Sequence, residues 1–204
     1  MDSVLLRRPF EGGGARRYAA LERPAFGDLD DRLLDEWPAL AAATTLLDLG
    51  AGAGAFAARA AVRHPHLTVI AVDPSRALSR PQAGIHVVRA TGEALPLADA
   101  SCDAAICLSS IRHVQDRGQT LRELRRVVAG PLVIVELDPA ADAARVATHA
   151  TKIRATMFRH AFGPLVVKTA PPRATIAALA AAAGWRVRTQ RDDPAQPVYI
   201  LELA

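Results

Sequence analysis

The stretch Leu46-Leu47-Asp48-Leu49-Gly50-Ala51-Gly52-Ala53-Gly54 constrains this chain more than any other. It is an apolar run with one acid near its end, and it breaks into three closely spaced glycines. Alanine-rich sequence follows as far as Val62. The apolar run suits a strand and the alanines suit a helix. Glycine has no Cβ and tolerates φ > 0, so a junction of this kind lets backbone approach a nucleotide-like ligand closely. The helix N-terminus beyond the bend adds unsatisfied N–H groups and a partial positive charge. An adenosine-containing cofactor is therefore expected, and the rest of the chain has to say which one.

Elements alternate regularly around that junction. Thr45–Leu49, Leu67–Val72, Ile85–Arg89, Asp103–Leu108 and Leu132–Leu137 are short β-branched or apolar runs that read as strands. Helical patterns lie between them at Ala55–Val62 and Arg117–Val128, with a short turn near Ser75–Leu78. In the second helix Leu121, Leu124, Val127 and Val128 share one face and arginines take the other. Further on, Ala174–Ala183 reads as a helix ended by Gly184. Trp185–Arg191 and Val198–Leu203 then read as strands joined by a Pro/Asp loop short enough for an antiparallel pair. The fold class expected is α/β: a doubly wound, Rossmann-like, seven-stranded and mostly parallel sheet whose last strand runs backwards.

No boundary divides the chain, so residues 1–204 read as one domain. Residues 1–40 would cap it, with a helix at Asp28–Trp37. Residues 139–172 are an insertion before the last helix. Asp138-Pro139 looks like an N-cap with proline at the first helical position. Helical spacing would put Val146, Ala150, Ile153, Met157 and Ala161 on one face of the insertion. Arg145, His149, Lys152, Thr156 and Arg159 would form a basic face opposite, free to meet an anionic group or solvent.

Composition removes several function classes. The net charge is +4, but the basic residues are nearly all arginine, interleaved with acids, and aromatics make up only 4%. A nucleic-acid binder would show a dense basic stripe and stacking platforms, so nucleic acid is not the expected partner. No apolar run reaches the ~18 residues that span a membrane. The two cysteines, Cys102 and Cys107, form no CxxC pair; they suit a reducing cytoplasm and leave no metal site in the expected pattern.

The glycine bend alone does not choose the cofactor. Gly50-x-Gly52-x-x-Ala55 also satisfies a dinucleotide pattern, which keeps an NAD(P)-dependent oxidoreductase open. Asp73, at the end of the second strand, could accept from ribose hydroxyls in either case. Asp48 is more telling, because an anion beside the bend repels a pyrophosphate and attracts a cationic ligand. The loop Thr91-Gly92-Glu93-Ala94-Leu95-Pro96-Leu97 follows the third strand, where it could frame an adenine edge, and the chain has no Tyr-x-x-x-Lys dyad.

Taken in order, LLDLGAGAG, VIAVDPS, EALPL, SCDAAICLSSIRHV, LRELRRVV and GPLVIVEL resemble the class I S-adenosylmethionine-dependent methyltransferases. The likeness is greatest to the small-molecule branch that includes the ubiquinone/menaquinone C-methyltransferases, and it covers about residues 15–138. It implies S-adenosylmethionine as methyl donor, no metal, and a small-molecule acceptor. It further implies that Asp48, Gly50 and Gly52 surround the methionine end, and that Asp73 binds the ribose hydroxyls. Pro74 would line the adenine face, Gly92 and Glu93 its edge, and the backbone of Leu108 would meet the methionine amino group. Tyr18 matches an N-terminal tyrosine that covers the cofactor in similar sequences. Thr91 stands where relatives commonly have an aspartate, and its hydroxyl would have to accept the adenine amino bond instead. His113, just past the fourth strand, is the candidate general base, while its neighbour Arg112 replaces a frequent second histidine. A nucleic-acid amino methyltransferase would show an Asn/Asp-Pro-Pro-aromatic tetrad where this chain has Cys107-Leu108-Ser109-Ser110. A cofactor-binding protein without methyl transfer is the remaining alternative.

Overall fold

A computed structural model describes residues 28–76, 83–151 and 167–204. The apolar runs become strands β1 (Thr45–Leu49), β2 (Thr68–Val72), β3 (Ile85–Val88), β4 (Ala104–Leu108), β5 (Leu132–Leu137), β6 (Val187–Asp192) and β7 (Val198–Leu203). They form one seven-stranded sheet in the order β3-β2-β1-β4-β5-β7-β6. Strands β1 to β5 pair in parallel, and β7 runs antiparallel between β5 and β6. The expected sheet, with its last strand reversed, is the one observed. Strand bounds moved by at most two residues from those read in the sequence.

Helices α1 (Leu29–Glu36), α2 (Ala39–Ala42), α3 (Ala55–Arg63), α4 (Arg117–Val127), α5 (Ala143–Thr151) and α6 (Arg173–Ala182) cover the sheet. Alternation along each strand sends side chains to opposite faces, which creates two cores. On one face Leu46, Val69, Ile106 and Val133 pack with Phe56, Ala57 and Ala60 of α3 and Leu29, Leu33 and Leu34 of α1. On the other, Leu47, Cys107, Ile134 and Leu201 meet Leu121, Leu124 and Val127 of α4, with Ile176 and Ala180 of α6. Trp185 closes the second core: its indole N–H donates to Leu121 O at 3.0 Å, and the Arg125 guanidinium lies 5.3 Å from its ring centre.

Helix α1 is held to α3 in two ways. Its apolar face is buried, and Arg63 reaches Asp31 at 3.1 Å and Asp35 at 3.4 Å, while Arg59 pairs with Asp30. Half-exposed pairs of this kind are each worth at most about 1 kcal/mol, so burial of the three leucines decides the docking.

Two local expectations do not hold. Asp138-Pro139 does not open a helix: Asp138 Oδ1 accepts from Ala140 N at 2.8 Å and forms a turn, so α5 starts only at Ala143, after Asp142 has accepted from Arg145 N. The basic face expected on that helix is also absent over its described part. His149 is buried and its Nδ1 pairs with Gln196 Oε1 at 2.7 Å, while Arg145 donates to Asp193 O at 2.9 Å. Both side chains are tied to the β6–β7 loop. Lys152, Ile153, Thr156, Met157, Arg159 and Ala161 lie outside the described residues.

The two excursions of the chain converge on that loop. The Asp193 side chain is fully buried; its Oδ2 accepts from Arg32 of α1 at 2.8 Å and its Oδ1 from the N–H groups of Ala195 and Gln196. Removing a buried leucine from the shared face of α4 should test the second core. Leu121→Ala is expected to cost about 3 kcal/mol, read from urea unfolding monitored by Trp185 fluorescence.

Candidate functional site

The strand order reverses between β1 and β4, so the crevice of this open sheet lies over the carboxyl ends of β1, β2 and β4. Those three ends are knitted together at the glycine bend. Gly50 has φ +73° and donates its N–H to Val72 O at 2.7 Å. A Cβ on Gly50 would lie 2.3 Å from Ser110 Cβ, and the Ser110 hydroxyl donates to Leu49 O at 2.6 Å. Two residues on, Gly52 N donates to Asp73 Oδ2 at 2.9 Å, while Asp73 Oδ1 accepts from Ser75 N at 2.8 Å.

Gly50 and Gly52 differ in their surroundings. Glycine is required at Gly50 by both conformation and crowding. Gly52 also has positive φ, +58°, but a Cβ there would meet nothing within 4 Å. The bend therefore opens into space on the Gly52 side. Asp48 lies just before it on β1, 2% exposed, in register with Ala71 of β2 and Ile106 of β4. Beyond it α3 starts at Ala55 with Gly54 in the left-handed region and no side-chain cap. Asp73 and the start of α3 thus flank the open side of the bend, with Asp48 buried just before it on β1.

The other sequence candidates ring the same edge. Pro74 is exposed, next to Asp73, and its carbonyl accepts from Arg89 Nε at 3.2 Å. Gly92 is buried against Thr120 and Leu49, which brings the Thr91–Glu93 loop to the end of β1. The Glu93 side chain turns toward the entry of α4 and clasps it, with Oε1 accepting from Gln115 N at 2.6 Å and Asp116 N at 3.1 Å. Desolvation raises the Glu93 pKa, but these N–H groups and the Thr91 hydroxyl outweigh it and hold the carboxyl below its ordinary range. The Thr91 hydroxyl donates to Glu93, which leaves its oxygen able to accept a further bond. Leu108 ends β4 and is nearly buried, and Tyr18 lies outside the described residues.

His113 ends a 3-10 turn, Ile111–His113, that follows β4 directly. Ser109, at φ +52°, turns the chain into it, and His113 N donates to Ser110 O at 2.9 Å. His113 is half-buried.

Sequence reading passed over a buried polar group beside this turn. Glu136 of β5 is fully buried; its Oε2 accepts from Arg112 N at 3.2 Å and its Oε1 from Leu137 N at 2.8 Å. The Arg112 guanidinium is 6% exposed, lies 3.9 Å from Glu136 Oε1 and donates to Thr169 Oγ1 at 3.0 Å. Burial lowers the Arg112 pKa, partly offset by Glu136. Tyr199, paired with Glu136 across β5 and β7, donates its hydroxyl to Pro171 O at 3.0 Å, and burial pushes its phenol strongly up. The available signal was a lone acid inside the apolar run Leu132–Leu137, because a charge there has to be partnered. Cys107 is inert by comparison, its thiol pushed up to about 12 by burial.

Residues 47–131 match the methyltransferase domain family. Across the whole fold the chain is similar to an S-adenosylmethionine-dependent methyltransferase of Aquifex aeolicus, at TM-score 0.71 and 14% identity, covering 100% of this chain and 98% of that one. The fold is that of the class I methyltransferases, and the match to the methyltransferase domain lies within residues 47–131. The magnesium protoporphyrin IX methyltransferase of Synechocystis, solved with bound S-adenosylhomocysteine, also shares the methyltransferase fold, at TM-score 0.68 and 14% identity over 100% and 99% of the two chains. In sequence, the methyltransferase domain is 38% identical over 108 residues to a ubiquinone/menaquinone biosynthesis C-methyltransferase of Syntrophotalea carbinolica. That match takes in 48% of this chain and 46% of the relative. An uncharacterized methyltransferase of a Mycobacterium species is 39% identical over 121 residues, 55% of this chain and 46% of that one. The chain thus spans about half the length of the curated relatives it matches. Among the described residues, no helix is long and apolar enough to cross a membrane.

The two glycines of the methyltransferase bend make opposite demands, and stability separates them. Gly50→Ala is expected to cost about 3 kcal/mol, since the new Cβ collides with Ser110 as well as straining φ. Gly52→Ala should cost only about 1 kcal/mol of φ strain. Denaturant unfolding of the two variants checks the contrast.

Proposed function

We propose that the chain transfers a methyl group from S-adenosylmethionine to a small-molecule acceptor. The observation that carries the reading is the acid-flanked bend, with Asp48 buried on β1 and Asp73 bonded to Gly52 N at 2.9 Å around an opening that no Cβ fills. Anions at that position attract a ligand bearing sulfonium and ammonium charges and repel a pyrophosphate. When bound, the cofactor supplies a methyl group on a positively charged sulfur, already activated for transfer.

The residues around the bend have separate tasks. Asp48, Gly50 and Gly52 enclose the methionine end. Each carboxylate oxygen of Asp73 accepts more than one hydrogen bond, so it holds the bend and still serves the ribose hydroxyls. Pro74 offers an apolar surface to the adenine face. Gly92 and Glu93 border its edge, and the Thr91 hydroxyl, which donates to Glu93, keeps lone pairs to accept from the adenine amino group. The Leu108 main chain meets the methionine amino group, and Tyr18 closes over the cofactor.

Chemistry on the acceptor is mainly positioning and exclusion of water. His113 takes a proton from the acceptor where the reaction releases one, since its turn stands at the end of β4 facing the crevice. The acceptor side is built from the turn, the ends of β5 and β7, and the 139–172 segment. Relatives named for ubiquinone/menaquinone and demethylmenaquinone methylation favour a quinone-like ring as acceptor.

Calorimetry tests the cofactor half of this reading. S-adenosylhomocysteine is expected to bind in the micromolar range, NAD and NADP to give no heat, and Asp73→Ala or Asp48→Asn to weaken binding at least about tenfold. Uptake of a pyridine dinucleotide, or indifference to the nucleoside at millimolar concentration, would refute it.

A further inference from the structure

The turn that carries His113 is held by charged groups from β5 and α4. Glu136 accepts the Arg112 N–H at 3.2 Å. The Arg117 guanidinium donates to the carbonyls of Ile111 at 3.2 Å and Arg112 at 3.3 Å. A three-residue turn needs no such investment of buried charge, and a buried ion pair is weak evidence for stability alone. Such a pair can instead fix one geometry.

The grip also extends to the returning end of the 139–172 segment. The Arg112 side chain passes Glu136 and donates to Thr169 Oγ1 at 3.0 Å. Thr169 lies where the 139–172 segment returns to the sheet, and that return is pinned beside it: Tyr199 donates to Pro171 O at 3.0 Å, and Val167 and Ala170 are buried. Lys168 Nζ donates to Pro139 O at 2.8 Å. The segment therefore leaves and re-enters the fold at nearly the same point, above the ends of β5 and β7.

We propose that Glu136, Arg112 and Thr169 form a positioning relay that fixes the His113 turn relative to the foot of the 139–172 segment. The inference rests on the methyl-transfer reading for its catalytic consequence, but not for its structural one. Glu136 holds the turn's backbone from β5, and Arg112 links that backbone to Thr169. An acceptor seated against that foot is thereby set at a defined position relative to His113. The bonds of the three run to the turn, to Leu137 and to one another, so the relay acts on the acceptor side and cofactor affinity is expected to hold.

A pair of substitutions at Thr169 separates a hydrogen-bonding role from mere packing. Thr169→Val keeps the shape and removes the acceptor oxygen; Thr169→Ser keeps the oxygen and removes a methyl. Two readouts are taken on each full-length variant. The first is amide hydrogen exchange at Arg112 and His113, with Leu47 and Ile106 as core references. The second is labelled-methyl transfer to acceptors in cell extract. The relay predicts that Thr169→Val speeds exchange at the turn about tenfold, leaves the core references unchanged and lowers methyl transfer about tenfold. Thr169→Ser should stay within about twofold on both, and S-adenosylhomocysteine affinity should hold in both. Turn exchange unaltered in Thr169→Val, unaltered transfer, or Thr169→Ser as impaired as Thr169→Val would each overturn it. Should wild type bind no S-adenosylhomocysteine, the methyl-transfer reading fails by itself, and the exchange contrast still decides the relay.

Discussion

The structure depends on the contact between Gly50 and Ser110. The chain must leave β1, reverse its direction and start α3 within a few residues, and it does so directly under the end of β4. Only a residue without Cβ fits beneath Ser110, where an added carbon would sit at 2.3 Å. The Ser110 hydroxyl then bonds to Leu49 O, and Gly50 N bonds to Val72 O. Three parallel strands are tied at their carboxyl ends by one bend. The opening over Gly52, the placement of Asp73 and the start of α3 all follow from it.

The two sides of the crevice are built on different principles. The bend side uses backbone: N–H groups, positive φ and a carboxylate that spans Gly52 and Ser75. The other side, where the acceptor is proposed to sit, uses buried side chains, Arg112, Glu136, Thr169 and Tyr199, contributed by the turn after β4, by β5, by the returning segment and by β7. Helices α1 and α5 are both moored to the β6–β7 loop, through Asp193 and Gln196.

The sheet was legible because its inner strands are buried on both faces and therefore read as unbroken apolar runs, with Leu132–Leu137 and Thr45–Leu49 recovered to the residue. The bend was legible because its glycines answer a local steric demand. What escaped depends on partners distant in sequence. Asp138 looked like a helix cap, but its carboxylate found the Ala140 N–H and made a turn. His149 sat on the polar side of a helical wheel, yet Gln196, 47 residues away, draws it into the interior. Glu93 also clasps the N–H groups that open α4, a second contact its place in the loop did not announce. Arg112 stood out only as a replaced histidine; its role needs Glu136 and Thr169, which no spacing in the sequence brings together.

The most direct test of the account is a crystal structure of the chain grown with S-adenosylhomocysteine. The account predicts the nucleoside's ribose hydroxyls on Asp73, its adenine between Pro74 and the Thr91–Glu93 loop, and its amino-acid end against Asp48 and the open side of Gly52. A nucleoside bound elsewhere, or a bend whose carboxylates both face away from it, would contradict the claim.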